Sequence, residues 1–403
     1  VMIRISSAEL HYAWGSPSAI PGLLGTPVTG EPVAEAWFGA HHAGPSRVVA
    51  APSAPHGGET LTEAIARDPR GALGDGVVAR FGPTLPYLLK VIAADRPLSL
   101  QVHPHVDAAR EGFEREEAAG VPIDAPHRSY RDRNHKPELV YALTRFEAVC
   151  GFRAPRRAAE LLAGLDAPLA KELHDVLADQ PDARGIEAAF TQLLQPGTRP
   201  DAVAVQGVVD ACKARLADGS PSPRADRIVV RLAEAYPGDP GVVTSLLLNP
   251  VTLHPGDALF VPAGGVHAYL SGVGVEIMAS SDNVLRAGLT PKHVDVAELL
   301  RNVDYVAAPP IRIAPERFHG ATRVYYAPVD DFELSLSHVE DESVHPLPGR
   351  GPRIVLCLDG TVTVKARSGS TLVLDRGDAA FVPASDGPLE VQGKARLVQA
   401  DVP

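Results

Sequence analysis

Residues 251–286 read VTLHPGDALFVPAGGVHAYLSGVGVEIMASSDNVLR, and the rest of the chain is best read outward from them. Pro255-Gly256-Asp257 is a turn signal, and Ala258–Val261 is an apolar run of strand length. Ala263-Gly264-Gly265 supplies a second tight reversal, after which 266–270 alternates. A strand there shows Val266, Ala268 and Leu270 on one face and His267 and Tyr269 on the other. A histidine just past a Gly-rich turn and aimed into a β interior is well sited as a metal ligand. The plain alternative is a hydrogen-bonded core histidine.

At 403 residues the chain is too long for one ordinary core, so two or three domains are expected. Hydrophobic residues make up 45% and mean hydropathy is near zero, the profile of a soluble globular protein. Thirty-eight prolines and 36 glycines suit a turn-rich β architecture. No apolar run reaches membrane-spanning length and no cleavable leader pattern is seen, so a cytoplasmic protein without membrane partners is expected. Cys150, Cys212 and Cys357 are far apart, odd in number and without zinc-finger spacing, which fits a reducing compartment. A formal charge of −11 argues against nucleic acid. An anionic ligand would need a local positive pocket built from arginine, lysine or a metal ion.

Two upstream stretches extend the site. In 85–110, LPYLLKVIAADRPLSLQVHPHVDAAR, Ser99, Gln101 and His103 alternate with Leu98, Leu100 and Val102, so a strand puts the polar trio on one face. Polar side chains facing inward need partners, and a metal satisfies them. His105 has the same parity but follows Pro104 and is expected to leave the strand, with 106–119 helical. In 133–143, RNHKPELVYAL, Lys136 and Glu138 share parity. A buried carboxylate is costly unless it is paired or ligates a cation, so Glu138 invites a metal or a lysine. With Gln101, His103 and His267 it completes a set of two nitrogen and two oxygen donors. Taken singly, it is an ordinary strand residue.

Elsewhere, EAWFGAHHAGPSRV (35–48) brings Glu35, His41 and His42 together. An adjacent His pair cannot project from one strand face, so it reads as ordinary. Trp14 and Trp37 read as core or cleft-wall residues, and 60–68 as a capped short helix. From about 153 to 234 the spacing turns helical without motif-like clusters, and PGDPG (237–241) is expected to return the chain to β structure. Past the opening stretch, Arg286 and Lys292 lie near a turn before a further helix. Near the C-terminus, DRGDAAFVPASDGPLEV (375–391) echoes HPGDALFVPAGGVHAYL (254–270), with Pro388 standing where His267 does. The echo predicts a second barrel that has lost its metal ligand.

Gly256, Pro262, Gly264 and His267 reproduce most of the second metal motif of the cupin β-barrels. SLQVHPH, HKPELVYAL, PAGGVHAYL and SDNVLRAGLTPKH, in this order, resemble the type I phosphomannose isomerases, as do WFGAHHAGPS, LPYLLKVIAADRPLS and EAVCGFR. The resemblance spans most of the chain. It implies a mainly β protein with an α-helical insertion: a catalytic cupin-type (jelly-roll) barrel from 1–152 and 241–300, a helical domain at 153–240, and a second cupin-like barrel without metal at 301–403. It further implies one Zn²⁺ per chain on Gln101, His103, Glu138 and His267, and Arg286 as the active-site arginine. Lys136, Glu276, Asp282 and Lys292 fall at motif positions near the family's substrate cleft. Against the general cupin pattern, Gln101 replaces a histidine, Glu138 comes 35 residues after His103, and Ser271 replaces Asn. His42 and Ala43 depart from the residues expected after WFGAH.

The implied reaction interconverts mannose 6-phosphate and fructose 6-phosphate through a cis-enediol(ate). Zinc and Arg286 are expected to stabilise the oxyanion. Proton transfer is left open among Lys136, His135 and Glu276. Lys292 and the Ser99 hydroxyl are assigned to the phosphate, with Arg286 left open as a further phosphate contact, and Asp282 to the substrate. A monomer is expected, with a hexose 6-phosphate as its partner. Two rival readings are a non-catalytic cupin sugar-phosphate sensor and another metal-dependent cupin enzyme, such as an oxygenase. The oxygenase is disfavoured by the Gln/His/Glu/His set.

Overall fold

The computed structural model describes residues 1–50 and 57–403. Its strands form two antiparallel sheets, of eleven and ten strands, accompanied by twelve α-helices. Both strand orders run as open paths with side branches. The eleven-stranded sheet carries Gln101, Glu138 and His267. Near its centre lies Tyr87–Ala94, a continuous apolar run broken only by Lys90 and buried at every position, as expected of a strand covered on both faces.

The strand His267–Ala279 joins the two halves of that sheet. Its first residues pair with Phe146–Phe152 and with Gln101, and its later ones with Tyr87–Ala94 and Glu138–Ala142. The bend falls at a bulge between Tyr269 and Ser271, followed by Gly272 with φ +119. A Cβ at Gly272 would sit 2.6 Å from the Arg145 carbonyl oxygen, so only glycine lets the strand turn there.

The alternation read from sequence holds. Val266, Ala268, Leu270, Leu100 and Val102 all pack into one core with the helices, while Tyr269 packs in a different core on the other side of its strand. Five helices, from Pro155–Ala163 to Pro223–Ala235, follow one another, three of them opened by proline at the first turn. The buried pair Arg215–Asp226, at 2.6 Å, joins the last two. The return to strand comes later than PGDPG suggests. A helical turn Gly241–Thr244 and a 3-10 turn Ser245–Leu247 intervene before Leu248–Leu253. The short helix Leu61–Arg67 has the reciprocal Thr60–Glu63 cap, and His105 leaves its strand to open the helix Val106–Ala118.

The internal echo is structural as well. Ala258–Val261 and Ala379–Val382 are four-residue strands, each followed by a thirteen-residue strand, His267–Ala279 and Leu389–Asp401. Pro388 falls just before the second of these. The sheets also trade strands. Ile3–Ser6 pairs with Ala379–Val382 in the ten-stranded sheet, and Ile311–Arg312 pairs with Ala258–Val261 in the other. A shared apolar core lies between the sheets, with Phe38, Tyr87 and Phe260 from one and Tyr325, Ile354 and Phe381 from the other.

Candidate active site

Strand register alone aligns much of the site. Cys150 lies opposite His267, His267 opposite Gln101, and Gln101 opposite Arg286. Directly opposed residues in antiparallel strands share a face, so this row looks to one side of the sheet. Glu138 arrives from the adjoining half, opposite Met278 and Val261.

His103 Nε2, Glu138 and His267 Nε2 then meet in the interior. The three residues are 0, 3 and 2% exposed. His103 Nε2 lies 2.9 Å from Glu138 Oε1, and His267 Nε2 lies 3.5 Å from Glu138 Oε2. The other ring nitrogens are taken by backbone carbonyls: His103 Nδ1 donates to Asn283 O and His267 Nδ1 to Gly265 O, each at 2.9 Å. Because a carbonyl only accepts, both Nδ1 atoms carry the proton, and both Nε2 lone pairs are left for a cation. Burial outweighs Glu138 and lowers the His103 pKa to about 4, so the ring is neutral at pH 7.

Despite its closeness to Glu138, His103 Nε2 has no hydrogen-bond partner, as expected of two ligand atoms that share a cation. Gln101 Nε2 donates to Ser99 Oγ at 3.1 Å, which orients the amide and leaves its oxygen as a further neutral donor. Two imidazoles, a carboxylate and an amide oxygen suit a d¹⁰ divalent ion such as zinc. The residues present therefore fit the group.

The remaining expected residues lie in several settings. Lys136 is buried, with Nζ 3.9 Å from Glu138 Oε1. Glu276, left inward or outward by its sequence, is 4% exposed and lies 3.9 Å from Lys90 Nζ. Burial and the nearby Glu138 push its carboxyl well above the usual range. His135 is held by Asp331, its Nε2 2.9 Å from Oδ2. Asp282 receives two imidazoles, His41 Nε2 at 3.0 Å and His42 Nε2 at 2.9 Å. Strand alternation does not govern that His pair, because the strand ends at Phe38 and both rings project from the following turn, stacked at 4.6 Å. Burial works against ionisation of Asp282, but the two histidines keep its carboxyl below its ordinary value.

Arg286 is half-buried, and burial followed by the charge of Arg131 opposes its protonation. Lys292 is exposed, and its ammonium is pushed down first by Arg286, then by burial and by Arg131. These three cations act on one another and have no carboxylate within 4.0 Å among the described residues.

Comparison with known proteins follows this geometry. Residues 2–155 match the model for the phosphomannose isomerase type I catalytic domain, and 322–402 that for the mannose-6-phosphate isomerase cupin domain. The chain is 38% identical to mannose-6-phosphate isomerase of Escherichia coli strain K12 over 405 residues, covering 99% of each. The chain belongs to the type I phosphomannose isomerase family. The family's enzyme from Salmonella typhimurium strain LT2 is 39% identical over 408 residues, with 99% of each covered. A crystal structure of mannose 6-phosphate isomerase bound with zinc and yttrium superposes with a TM-score of 0.87 at 36% identity, covering 100% of this chain and 99% of that one.

Sequence reading toward this family passed over several residues that shape the site. Arg131 adds a third cation beside Arg286 and Lys292. Lys90, buried 3.7 Å from Glu35 and 4.8 Å from the Trp37 ring, links both to Glu276. Tyr269 donates to Glu138 Oε2 at 3.1 Å. Its parity with His267 was visible, and that was the one available signal.

Proposed function

We propose that this chain is a zinc-dependent aldose–ketose isomerase that interconverts mannose 6-phosphate and fructose 6-phosphate. The observation that carries the reading is the convergence of His103 Nε2, Glu138 and His267 Nε2, with one nitrogen left without a hydrogen-bond partner. Gln101, His103, Glu138 and His267 would hold the ion. Zinc bound there supplies a fixed positive charge that stabilises negative charge developing on the C1 and C2 oxygens of the sugar.

The remaining work falls to side chains. Arg286, in register with Gln101, presents a planar fork of donors to the enediolate. Lys136 carries the proton between C2 and C1, supported by its burial beside Glu138. His135 is engaged by Asp331, and Glu276 lies against Lys90 behind Glu138, so each is less free to move a proton. Lys292, with Arg131 beside it and the Ser99 hydroxyl, takes the phosphate, and Asp282, fixed by its two histidines, takes sugar hydroxyls.

The same reading divides the chain into a catalytic cupin barrel from 1–152 and 241–300, a helical domain at 153–240 and a metal-free cupin-like barrel at 301–403. The run of helices between Pro155 and Ala235 and the repeated pair of strands support it. The exchange of Ile3–Ser6 and Ile311–Arg312 modifies it, since each barrel borrows a strand from the other segment. We further expect a monomeric cytoplasmic enzyme. Among the described residues no helix is long and apolar enough to cross a membrane.

The test is a coupled turnover assay on mannose 6-phosphate, with metal analysis. Chelation should abolish turnover and added zinc restore it, and His267→Ala should lose both zinc and turnover while remaining folded. Full zinc occupancy in that variant removes His267 from the site. Binding of the sugar phosphate without turnover by the zinc-loaded chain defeats the catalytic reading.

A further inference from the structure

Away from the metal ligands, the strands Thr322–Tyr325, Glu333–Val339 and Leu389–Asp401 lie side by side in the ten-stranded sheet. Arg323 is opposite Leu336, and His338 is opposite Arg396. Opposed residues share a face, as do residues two apart along a strand, so Arg323, Tyr325, Leu336, His338 and Arg396 all project to one side. That side faces the other sheet, where Tyr141 meets Tyr325 edge-on with ring centroids 5.4 Å apart. A cavity of about 360 Å³ opens there, its walls including Tyr141, Arg323, Tyr325, His338, Glu340 and Arg396.

In a chain of net charge −11, Arg323 and Arg396 are exposed to the cleft with no carboxylate within 4.0 Å among the described residues. The nearby Glu340 is engaged instead with His338, at 3.5 Å. The Tyr325 hydroxyl donates to the Gly256 carbonyl at 2.9 Å, and the Tyr141 hydroxyl lies beside Arg396 on the cleft wall. Arg323 and Arg396 line the same cleft, and an oxyanion with several oxygens can accept paired N–H bonds from each. Leu336 and the tyrosine rings give an apolar wall for a small organic group, and the volume falls in the range of small-molecule pockets.

We infer that this cleft is a second ligand site, separate from the His103 cluster, that takes a small molecule bearing a phosphate group. None of its lining residues belongs to the metal cluster or to the three cations around Arg286. Its link to them is the strand Glu138–Ala142. Tyr141 projects from the face opposite Glu138, so an occupant presses on the strand that carries the carboxylate ligand.

The test uses crystals of the zinc-loaded full chain soaked in tungstate, a tetrahedral phosphate analogue with a strong anomalous signal. A peak is expected between Arg323 and Arg396, and it should vanish in the double variant Arg323→Ala, Arg396→Ala. In solution, titration with inorganic phosphate should give one equivalent fewer per chain in that variant than in the wild type. The absence of a cleft peak in wild-type crystals overturns the inference, whether or not the Arg286 region is occupied. So does equal phosphate stoichiometry in the wild type and the folded variant. Both arginines are exposed, so the variant should fold. If it does not, the wild-type tungstate peak decides alone.

Discussion

The Asn283 side chain is fully buried and binds a whole loop. Its Oδ1 accepts from the N–H groups of Arg131 and Asp132 at 2.7 and 3.2 Å, and its Nδ2 donates to the carbonyls of Asp132 and Asn134 at 2.8 and 2.9 Å. Its own carbonyl accepts from His103 Nδ1. Asn283→Ala leaves several part-buried backbone groups without their partner, where a fully buried one costs about 1–3 kcal/mol. The variant should lose several kcal/mol by chemical denaturation and bind zinc more weakly in a metal titration, because the loop that orients His103 loosens. Unchanged zinc affinity would confine Asn283 to a structural role. Arg286 leads to a different prediction. Arg286→Lys keeps the charge and loses the fork, so kcat should fall by about 10²–10³ with KM little changed if the arginine acts on the enediolate. A raised KM with intact kcat would make it a phosphate binder only. Alternation exposed His267 and Gln101 in the sequence because a strand's period is two. Asn283 left no such trace, since an Asn in an SDN turn looks like any turn residue and its partners lie some 150 positions upstream.

Along single elements, polar groups set inside apolar strands carry the most consequence. Lys90 interrupts Tyr87–Ala94 and lies between Glu35 and Glu276, 3.7 and 3.9 Å from their carboxylates. Burial alone would depress its ammonium, but these carboxylates hold it above its ordinary value. The strand reads from sequence as an apolar run with one lysine, and the pairing that explains the lysine is visible only once three strands lie side by side. At the end of Leu389–Asp401, the Asp401 carboxyl is buried and its Oδ2 has no hydrogen-bond partner. Burial, opposed by the Val402 N–H and by Arg353, pushes its pKa up to about 7. A carboxyl whose folded value lies above its unfolded one favours the folded state while both states are protonated. That advantage is lost as pH rises from about 4 toward 7. Asp401→Asn should therefore unfold at a higher temperature than the wild type at pH 8, and the gain should shrink toward pH 4. A gain independent of pH, measured by calorimetry, would assign the effect to packing instead.

Across the molecule, the two sheets are held together by the apolar core between them and by the strands they trade. Both sheets were legible in outline, because turn signals and the internal echo mark their strands. The exchange was not, since no local pattern records that Ile5 pairs with Ala379 as well as with Val48. Ile5 is buried in the shared core, so removing residues 1–6 detaches Arg47–Val48 from the ten-stranded sheet and opens that core. Such a shortened chain should melt at a lower temperature, losing turnover and near-ultraviolet circular dichroism in one step. Turnover that outlasts the dichroism change would show that the eleven-stranded sheet stands alone. The pairing of Ile3–Ser6 with Ala379–Val382 also bears on how the chain is made. A ribosome releases the first of these strands long before its partner exists, so for most of synthesis it is an unpaired strand with nowhere to dock. Most strands of the eleven-stranded sheet are translated before the second echo emerges, so the core shared between the sheets closes only late in synthesis.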